Sequence, residues 1–388
     1  MKKFAIISLA ALLVVAFTMP AAAFENEFGG YWRTRAYTLQ NFNGSEPGGD
    51  EGNTSLVDTR TRLYYTAKFS DNFKFVNKFE MDAVWGGDVN QDNALRDYGD
   101  IGADGIAVEV KNSYVDFDMG PVNSKIGVQG FILARGFLAD DDFAGAHFTY
   151  SNDLMSLPVF WFKAYEGNST SRALTDNNTS DTDIFGIAPS FNMGENLKLK
   201  PYLVYWMSDN LEAYQNRGGN NLPATADPMD DADVFFAGLD LDWKGDALSL
   251  WFTGIYQWGT IDFRPDGDTD IAAYLLAAGG SMNLGPAGLH GRAFYASGDD
   301  DPDDNDVDSF IVIEGQSHYW SEIMGFGIFD NIASAGSPAD QISNIWAANV
   351  GATFKPMDKL SVTGDVWYAQ LAEENEFDED ELGWEFNL

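Results

Sequence analysis

Hydrophobic and polar residues alternate along most of the chain with a period of two. Residues 73–85 read FKFVNKFEMDAVW, in which the odd positions are mostly apolar and the even positions mostly charged. A period of two predicts a β-strand with one apolar face and one polar face. Helical spacing with capping residues is essentially absent after residue 23, so we predict an all-β fold. The same alternation returns at residues 60–69, 235–243, 248–258 and 360–368.

Connections of two lengths separate the alternating segments. A soluble sandwich has no reason to sort its loops by length, whereas a membrane barrel has tight turns at one end and long loops at the other. The two lengths therefore favour a membrane barrel. Short turns are predicted at residues 70–72, 120–123, 151–153, 193–196, 244–246, 284–286 and 356–359. Long polar loops are predicted at residues 41–54, 86–105, 167–182, 208–232, 259–270, 298–341 and 372–381.

Strand length leads to the same interpretation. The alternating segments run about 10 to 14 residues, enough to cross roughly 28 Å of membrane when tilted, whereas strands of soluble sheets average about 5 to 6. Val108 and Val110 are out of phase with Val115 and Phe117, which predicts either a β-bulge between them or a different strand boundary there. Aromatic residues lie near strand ends, where the interfaces of a membrane would be. They are Tyr31, Trp32, Phe69, Phe73, Trp85, Trp243 and Trp258.

The strand count follows from the turns. Seven short turns imply fourteen strands, and one strand before the first turn and one after the last loop bring the minimum to sixteen. The last segment, from Leu382 to Leu388, is short and has no terminal aromatic residue, which predicts that a final hairpin is missing. We therefore predict a transmembrane antiparallel β-barrel of about 16 to 18 strands, with short periplasmic turns and long acidic extracellular loops.

The N-terminus has the features of a secretory signal. Met1-Lys2-Lys3 precedes an apolar stretch that is too short to span a membrane, and Ala21-Ala22-Ala23 provides a small-residue cleavage site. We predict a signal peptide at residues 1–23 and a single barrel domain at residues 24–388, lacking its last hairpin. An exported barrel of this kind would lie in the bacterial outer membrane.

Composition excludes several classes of protein. The sequence contains no cysteine, so disulfide scaffolds and thiolate metal sites are excluded. The 60 Asp and Glu residues outnumber the 23 Lys and Arg residues, which gives a formal charge of −37 and disfavours nucleic acid as a partner.

Three stretches of the sequence resemble a known family. They are VDTRTRLYYTAKFSDNFKFVNKFEMDAVWG at residues 57–86, YGDIGADGIAVEVKNSYVDFDMGPVNSKIGVQGF at residues 98–131, and YWSEIMGFGIFDN at residues 319–331. They resemble porin-type outer-membrane proteins grouped with the alginate-export-like barrels, and the resemblance covers nearly the whole mature chain. It implies a pore for small hydrophilic solutes, a homotrimer and, as in alginate exporters, an Arg- and Lys-lined path for an anionic polysaccharide.

If the apolar residues face lipid, the opposite face of each strand lines the pore. Arg33 and Arg35 on one strand and Arg60 and Arg62 on the next then form a basic ladder opposed by carboxylates. One interpretation is a constriction whose field selects solutes. The other is that the charges pair across strands only to satisfy a polar interior. The predicted pore-lining residues are Arg33, Arg35, Asp58, Arg60, Arg62, Lys68, Lys74, Lys78, Glu80, Asp82, Glu109, Lys111, Lys125 and Arg135.

Most of the acid lies in the predicted loops, and two of these loops carry crowded acidic runs at residues 299–308 and 373–381. We interpret these runs as a solvated rim that attracts cations to the mouth. A calcium site at Asp299, Asp301 and Asp303 is the weaker interpretation, because no EF-hand spacing is present.

The connection at residues 298–341 is too long for a bare loop and has apolar content. We predict that it folds inward and narrows the pore, with Tyr319 and Trp320 as sugar-stacking candidates. The alternative is two further strands at residues 309–315 and 322–329.

The sequence favours transport over catalysis. Its three histidines have no metal-ligand or triad spacing, so we predict no enzyme activity and no cofactor, with His290 as a pore residue beside Arg292. The leading hypothesis is a porin that allows passive diffusion of small hydrophilic solutes or ions. The alternative is a specific channel for an anionic saccharide. Expected partners are outer-membrane lipid, hydrophilic solutes and two further copies of the chain. The basic charges on the predicted pore wall favour a slight selectivity for anions.

Overall fold

The computed structural model describes residues 24–39, 54–87, 98–99, 101–102, 106–166, 181–209, 229–263, 267–300, 306–313, 318–325, 342–374 and 380–388. The predicted signal peptide lies outside these residues. The chain forms two compact units. The described part of the first unit runs to Tyr37 and then from Leu56 to Lys125, and the second unit contains residues from Ile126 to Leu388. The prediction of a single domain stays a prediction.

Strands make up nearly all of the described residues. Among these residues, no helix is long and apolar enough to cross a membrane, and the single helical element is a 3-10 turn at Ala134–Gly136. The strands are β1 Glu25–Leu39, β2 Thr54–Ser70, β3 Phe73–Trp85, β4 Tyr98–Gly99, β5 Glu109–Met119, β6 Val122–Leu133, β7 Ala139–Ser151, β8 Met155–Tyr165, β9 Thr182–Ile187, β10 Ser190–Met193, β11 Leu197–Ser208, β12 Met229–Lys244, β13 Leu248–Phe263, β14 Gly267–Leu284, β15 Ala287–Ala296, β16 Asp306–Val307, β17 Ile345–Met357, β18 Leu360–Leu371 and β19 Glu381–Asn387.

The number of long strands agrees with the predicted minimum. Of the 19 strands within the described residues, β4 and β16 have only two residues each and pair in parallel, which leaves 17. Strands β9 and β10 are separated by two residues and both pair with β8 and β11, so they form one interrupted strand. The remaining sixteen long strands pair antiparallel with their neighbours along the chain wherever the register is defined.

The seven short turns are all confirmed. Each of them joins two strands of an antiparallel pair or lies within one or two residues of such a junction, as between β2 and β3 or between β12 and β13. The predicted bulge is also present, because Lys78 pairs with Asn112 while Phe79 pairs with Val110, which leaves Lys111 unopposed in the ladder.

The long loop predicted at residues 259–270 is wrong. Strands β13 and β14 continue to Phe263 and from Gly267, and these two residues are opposed in the register. The polar residues within this range, such as Thr260 and Asp270, are therefore strand residues. They are as polar as loop residues because these strands are long and extend beyond the apolar part of the sheet, which would face lipid. The other long connections fall largely outside the described residues.

The strands of the first unit have the predicted two faces. We call the face that carries exposed apolar side chains the outer face and the opposite one the inner face. On β1 the outer face carries Phe28, which is 81% exposed, and Trp32, which is 67% exposed. Leu63 on β2 and Trp85 on β3 continue this face. Fully exposed aromatic and aliphatic side chains on one sheet face are expected where the solvent is lipid.

Aromatic side chains form rows across neighbouring strands on the outer face. In the first unit, Phe69 contacts Phe24 and Phe73 with ring centroids 5.2 and 5.4 Å apart. In the second unit, Tyr205 and Trp258 stack on either side of Phe235, at 4.6 and 5.5 Å. Rows of this kind at strand ends are typical of the aromatic girdles that lie at a membrane interface.

The inner face of the second unit differs from the prediction. The prediction placed apolar side chains on the outer face only, but Val204, Val234, Phe236 and Ile255 lie on the inner face and are buried. Chain segments that return over this face cover them. The covering residues include Phe137 and Leu138 from the β6–β7 connection and Phe310, Ile311, Val312 and Ile313 from the β15–β17 connection.

Strand β14 offers a test of which face meets lipid. Leu276 and Leu284 lie on its outer face, 47% and 51% exposed, with Leu276 near mid-strand and Leu284 next to the short turn. We expect Leu276→Arg to destabilise the folded protein in lipid vesicles by about 2–4 kcal/mol, and Leu284→Arg by about 0–1 kcal/mol, because the cost of a charge depends on depth. Denaturant unfolding in vesicles measures both values, and equal costs for the two variants would contradict a lipid-facing surface.

Candidate pore wall and inward segments

A ladder of paired charges lies on the inner face of β2 and β3. The register places Arg60 opposite Asp82 and Arg62 opposite Glu80. The Nη2 atom of Arg60 lies 2.6 Å from Asp82 Oδ2, and its Nε lies 3.4 Å from Glu80 Oε2. Arg62 donates to the same Glu80 carboxylate. These pairs are hydrogen-bonded. Because Glu80 and Arg60 are largely buried, salt screens these pairs less than it screens pairs on the surface.

The ladder continues onto β1. Arg35 donates to both oxygens of Asp58, with the shortest contact, from Nη2 to Oδ2, at 2.7 Å. Arg33 lies two residues away and therefore shares the inner face with Arg35. The predicted residues Arg33, Arg35, Asp58, Arg60, Arg62, Glu80 and Asp82 are thus brought together on three neighbouring strands, within the first unit.

The predicted lysines have separate partners. Lys74 contacts Asp116 on β5 at 3.1 Å, and Lys68 contacts Glu27 on β1. Lys78 lies over the Tyr64 ring and Lys125 over the Tyr114 ring, at 5.3 and 5.9 Å from the ring centres. Glu109 is exposed opposite Glu80 at the end of its pairing with β3, and Lys111 is the bulged residue. Every pair crosses strands, which favours the interpretation that the charges satisfy one another.

Arg135 is not on a strand of the wall, contrary to the prediction. It lies in the turn between β6 and β7, where Ala134, Arg135 and Gly136 all have positive φ, at 53°, 60° and 91°. Such backbone is costly for Ala and Arg, so contacts elsewhere must hold the turn. Arg135 donates to Asp242 at 2.6 Å and to Thr253 at 3.1 Å. Its guanidinium lies 4.9 Å from the Trp251 ring.

His318 joins this turn to a second inward segment, residues 318–325. Its Nδ1 donates to the Arg135 carbonyl at 3.1 Å, and its ring stacks on Phe137 with centroids 3.9 Å apart. Burial, reinforced by the charge of Arg292, lowers the pKa of His318 to about 3. The imidazole is therefore neutral at physiological pH, and this contact does not depend on a positive charge.

Glu385 on β19 anchors segment 318–325 to the wall. Its carboxylate accepts hydrogen bonds from the backbone N–H groups of Glu322, Ile323 and Met324, at 2.9, 3.0 and 2.8 Å. Three such donors satisfy a buried negative charge well, and the arrangement is an anion-binding nest built from main chain. Arg292 donates to the Trp320 carbonyl and provides a second anchor.

The prediction that connection 298–341 folds inward is confirmed for the residues that the structure describes. Phe310 and Ile311 are fully buried, and the Ile311 N–H donates to the Gln257 side chain on β13. The alternative of two further strands is wrong for residues 309–313 and 322–325, which form bends, turns and irregular backbone. Trp320 is fully buried against Phe294 and Trp367, which argues against an exposed sugar-stacking surface, whereas Tyr319 is exposed.

A cavity of about 390 Å³ lies beneath this segment, within the second unit. His290 and Asp365 line it, with His290 Nε2 and Asp365 Oδ1 2.8 Å apart, and Asn349 donates to the same Asp365 oxygen at 2.7 Å. The prediction that His290 is an inner-face residue near Arg292 agrees with this placement. The full lining consists of Ser249, Trp251, Gly280, Ser281, His290, Gly291, Arg292, Trp320, Ser321, Glu322, Asn349, Asp365, Trp367 and Asn387.

The calcium candidates are not brought together by the described residues. Asp299 is described, but Asp301 and Asp303 lie outside the described residues. Within the described part of the chain, no group of three or more His, Asp or Glu side chains is arranged to hold a metal ion.

Four acidic residues of the inner face were not among the predicted pore-lining residues: Asp240, Asp242, Asp365 and Glu385. Alternation did place Asp240, Asp242 and Asp365 on the polar side of their strands. Their partners lie on other strands or inward segments, and no local pattern specifies that pairing.

Gly351 on β17 allows the His290–Asp365 contact. A Cβ at Gly351 would lie 2.2 Å from His290 Nε2 and 2.3 Å from Asp365 Oδ1, whereas one at Gly364 on β18 would lie no closer than 3.7 Å to another atom. We expect Gly351→Ala to cost about 1–3 kcal/mol through overpacking and Gly364→Ala to cost much less. Thermal unfolding of both variants in detergent measures the difference, and similar losses would contradict the role of Gly351.

The Glu385 anchor has its own test. We expect Glu385→Gln to weaken three charge-assisted hydrogen bonds and to destabilise segment 318–325 by roughly 1–3 kcal/mol. Hydrogen exchange at the amides of residues 322–324 should accelerate by the corresponding factor. Glu381→Gln, an exposed position on the same strand, is the matched control. Unchanged exchange in Glu385→Gln would rule out the anchor.

Comparisons with known proteins agree with this architecture. Residues 158–377, more than half of the chain, match the alginate export family. OccAB1 of Acinetobacter baumannii is structurally similar, with a TM-score of 0.53 and 13% identity over 91% of this chain and 83% of that one. A search of curated proteins finds no match.

Two further solved structures align over nearly the whole chain with lower scores. OmpT, an outer-membrane protein of Vibrio cholerae in a trimer form, has a TM-score of 0.46 and 11% identity over 94% of this chain and 95% of that one. A triple mutant of the Rhodopseudomonas blastica porin has a TM-score of 0.42 and 12% identity over 92% and 96% of the two chains.

The predicted fold class is confirmed by the antiparallel strands and by the structural similarity to OccAB1. The chain belongs to the alginate export family and is a β-barrel protein of the channel type in the bacterial outer membrane.

Proposed function

We propose that the chain is a porin that lets small hydrophilic solutes and ions diffuse passively across the outer membrane. The observation that carries this proposal is the charged inner face of β1–β3. It lies back to back with an outer face of exposed aromatic and aliphatic side chains. A wall of this kind needs water on its charged side and lipid on its apolar side.

The pairing of the ladder charges supports a general channel. The four arginines of the ladder lie among three carboxylates, and the contacts of Arg35, Arg60 and Arg62 are with those carboxylates. Paired charges leave a wall that is polar but nearly neutral, so the filter effect of a ring of like charges is small. Selectivity in this proposal is weak, and the slight anion preference that the sequence favoured is offset by the carboxylates.

The second candidate is a channel for an anionic saccharide, and membership of the alginate export family favours it. An anionic polymer needs basic side chains that are available to it. The arginines of the ladder would have to exchange their carboxylate partners for the polymer, which costs the pairing energy. For this reason we rank the general channel first.

The proposal includes a homotrimer and no catalytic activity. The resemblance to porins implies a trimer. Light scattering in detergent measures the mass of the purified assembly and so tests the trimer. A monomer in native-like lipid would contradict this part of the proposal and leave the transport function in place.

Replacement of the ladder arginines tests the function directly. In a planar bilayer across a salt gradient, we expect ohmic current steps from the wild-type protein with a reversal potential near zero. Arg60→Ala combined with Arg62→Ala leaves Glu80 and Asp82 uncompensated. The reversal potential should then move toward cation preference, with a roughly two-fold rise in the permeability ratio of cations to anions.

Arg60→Lys combined with Arg62→Lys is the matched control, since it keeps the charge and changes only the geometry. Its reversal potential should equal that of the wild type. Absence of current steps from folded wild-type protein would reject the channel, and steps that saturate with an acidic oligosaccharide would favour the second candidate. An unchanged reversal potential in the alanine variant would mean that the ladder is structural and does not face the ion path.

A further inference from the structure

Two rows of inner-face side chains run beneath segment 318–325, across six strands from β13 to β19. The register sets Ser249, Ser281, His290, Gly351, Asp365 and Asn387 opposite one another in turn, on β13, β14, β15, β17, β18 and β19. The next inner row holds Trp251, Gly279, Arg292, Asn349, Trp367 and Glu385 in the same way.

All residues of these rows except Gly279, Gly351 and Glu385 line the 390 Å³ cavity and form its floor, and segment 318–325 forms its cover. The volume lies in the range of about 300–1,000 Å³ that is typical of small-molecule sites. Ser281 and Glu322 are exposed at the cavity, so solutes can reach it from water. Hydroxyl, amide, carboxylate and imidazole groups converge there from six strands, whereas the next inner row contains the apolar residues Ala277, Phe294, Ala347 and Ala369.

Trp320 provides an independent sign of a ligand. Its side chain is fully buried and lines the cavity, and its indole N–H has no hydrogen-bond partner among the described residues. A buried donor without an acceptor is costly, and such groups in native proteins call for an explanation. An oxygen atom of a bound solute would satisfy it.

The charges around the cavity restrict that solute. Arg292 is the basic side chain in the lining, and it already donates to the Trp320 carbonyl and lies 4.9 Å from the Trp367 ring centre. Two carboxylates, Glu322 and Asp365, face it. Partial burial raises the pKa of Glu322, and the nearby carboxylates of Glu385 and Asp365 raise it further. The carboxylates of Glu322 and Asp365 would repel an acidic sugar.

A cationic solute is disfavoured as well. Asp365 is already hydrogen-bonded by His290 and Asn349, and the Arg292 guanidinium opposes a second positive charge in the same space. The remaining groups are a mixture of neutral donors and acceptors. Sugar hydroxyl groups both donate and accept hydrogen bonds, so an uncharged sugar fits this mixture.

We propose that the cavity between segment 318–325 and strands β13–β19 is a binding subsite for an uncharged saccharide, with the Trp320 indole N–H donating to one of its oxygens. The subsite rests on the proposed function, because it would retain a solute on its way through the channel. It lies wholly within the second unit and does not use the arginine ladder of the first.

Titration calorimetry on the full chain in detergent tests the subsite with three disaccharides of similar size. Maltose is the neutral probe, digalacturonate is the anionic probe, and the dimer of glucosamine is the cationic probe. We expect maltose to bind more tightly than the other two. Trp320→Phe keeps the ring and removes only the N–H group, and it should weaken maltose binding roughly three- to ten-fold. Trp384→Phe, at an outer-face position that is 63% exposed, should leave binding unchanged.

Ser281→Ala provides a second variant at an exposed hydroxyl of the floor, should Trp320→Phe fail to fold, and it is expected to weaken maltose binding as well. Three results would each overturn the subsite: no maltose binding, tighter binding of digalacturonate or the glucosamine dimer than of maltose, or a maltose affinity in Trp320→Phe and Ser281→Ala equal to that of the wild type. Current steps recorded from the same preparation separate the two proposals. Steps without maltose binding reject the subsite alone, and absent steps reject the channel.

Discussion

Backbone hydrogen bonding between antiparallel strands is the constraint on which the other features depend. A chain that crosses lipid finds no water for its N–H and C=O groups, so neighbouring strands must satisfy them along their whole length. That ladder fixes a register, and the register decides which side chains lie opposite each other. Arg60 faces Asp82, and His290 faces Gly351 and through it Asp365, because the backbone ladder places them there. Charge pairing and the cavity floor are both consequences of register.

The side chains of the inner face are stabilised differently in the two units. In the first unit many inner side chains are charged, and Arg35, Arg60, Arg62 and Lys74 pair with carboxylates on neighbouring strands. In the second unit much of the inner face is apolar and is covered by chain that returns over it. The cover needs its own polar anchors, because main chain without secondary structure has unsatisfied groups. Glu385, Arg292 and Gln257 supply them from the wall. The cavity lies beneath segment 318–325, over polar residues of the inner face of the second unit.

Local pattern predicted the turns and the strand faces well, for a clear reason. A two-residue period and a short turn with Gly, Asn or Asp are properties of neighbouring residues, so they can be read without knowledge of the partner strand. The bulge at Lys111 was predicted in the same way, from a change of phase. The loop predicted at residues 259–270 was wrong because polar residues at the end of a long strand resemble a loop when their cross-strand partners are unknown. Arg135 was misplaced because its turn is held by β12 and β13, more than 100 positions away.

The sequence by itself determined the fold class, the minimum strand number, the two faces of the strands in the first unit and the gathering of arginine and carboxylate residues on one of them. Period and residue type are enough for these features, since the side of a strand on which a side chain lies depends only on position. The tertiary structure decided which charges pair, that the inner face of the second unit is covered, and that His290, Trp320 and Asp365 meet around one cavity whose cover is anchored by Glu385. These contacts join residues from distant parts of the chain, and only the register of the sheet and the path of the inward segments bring them together.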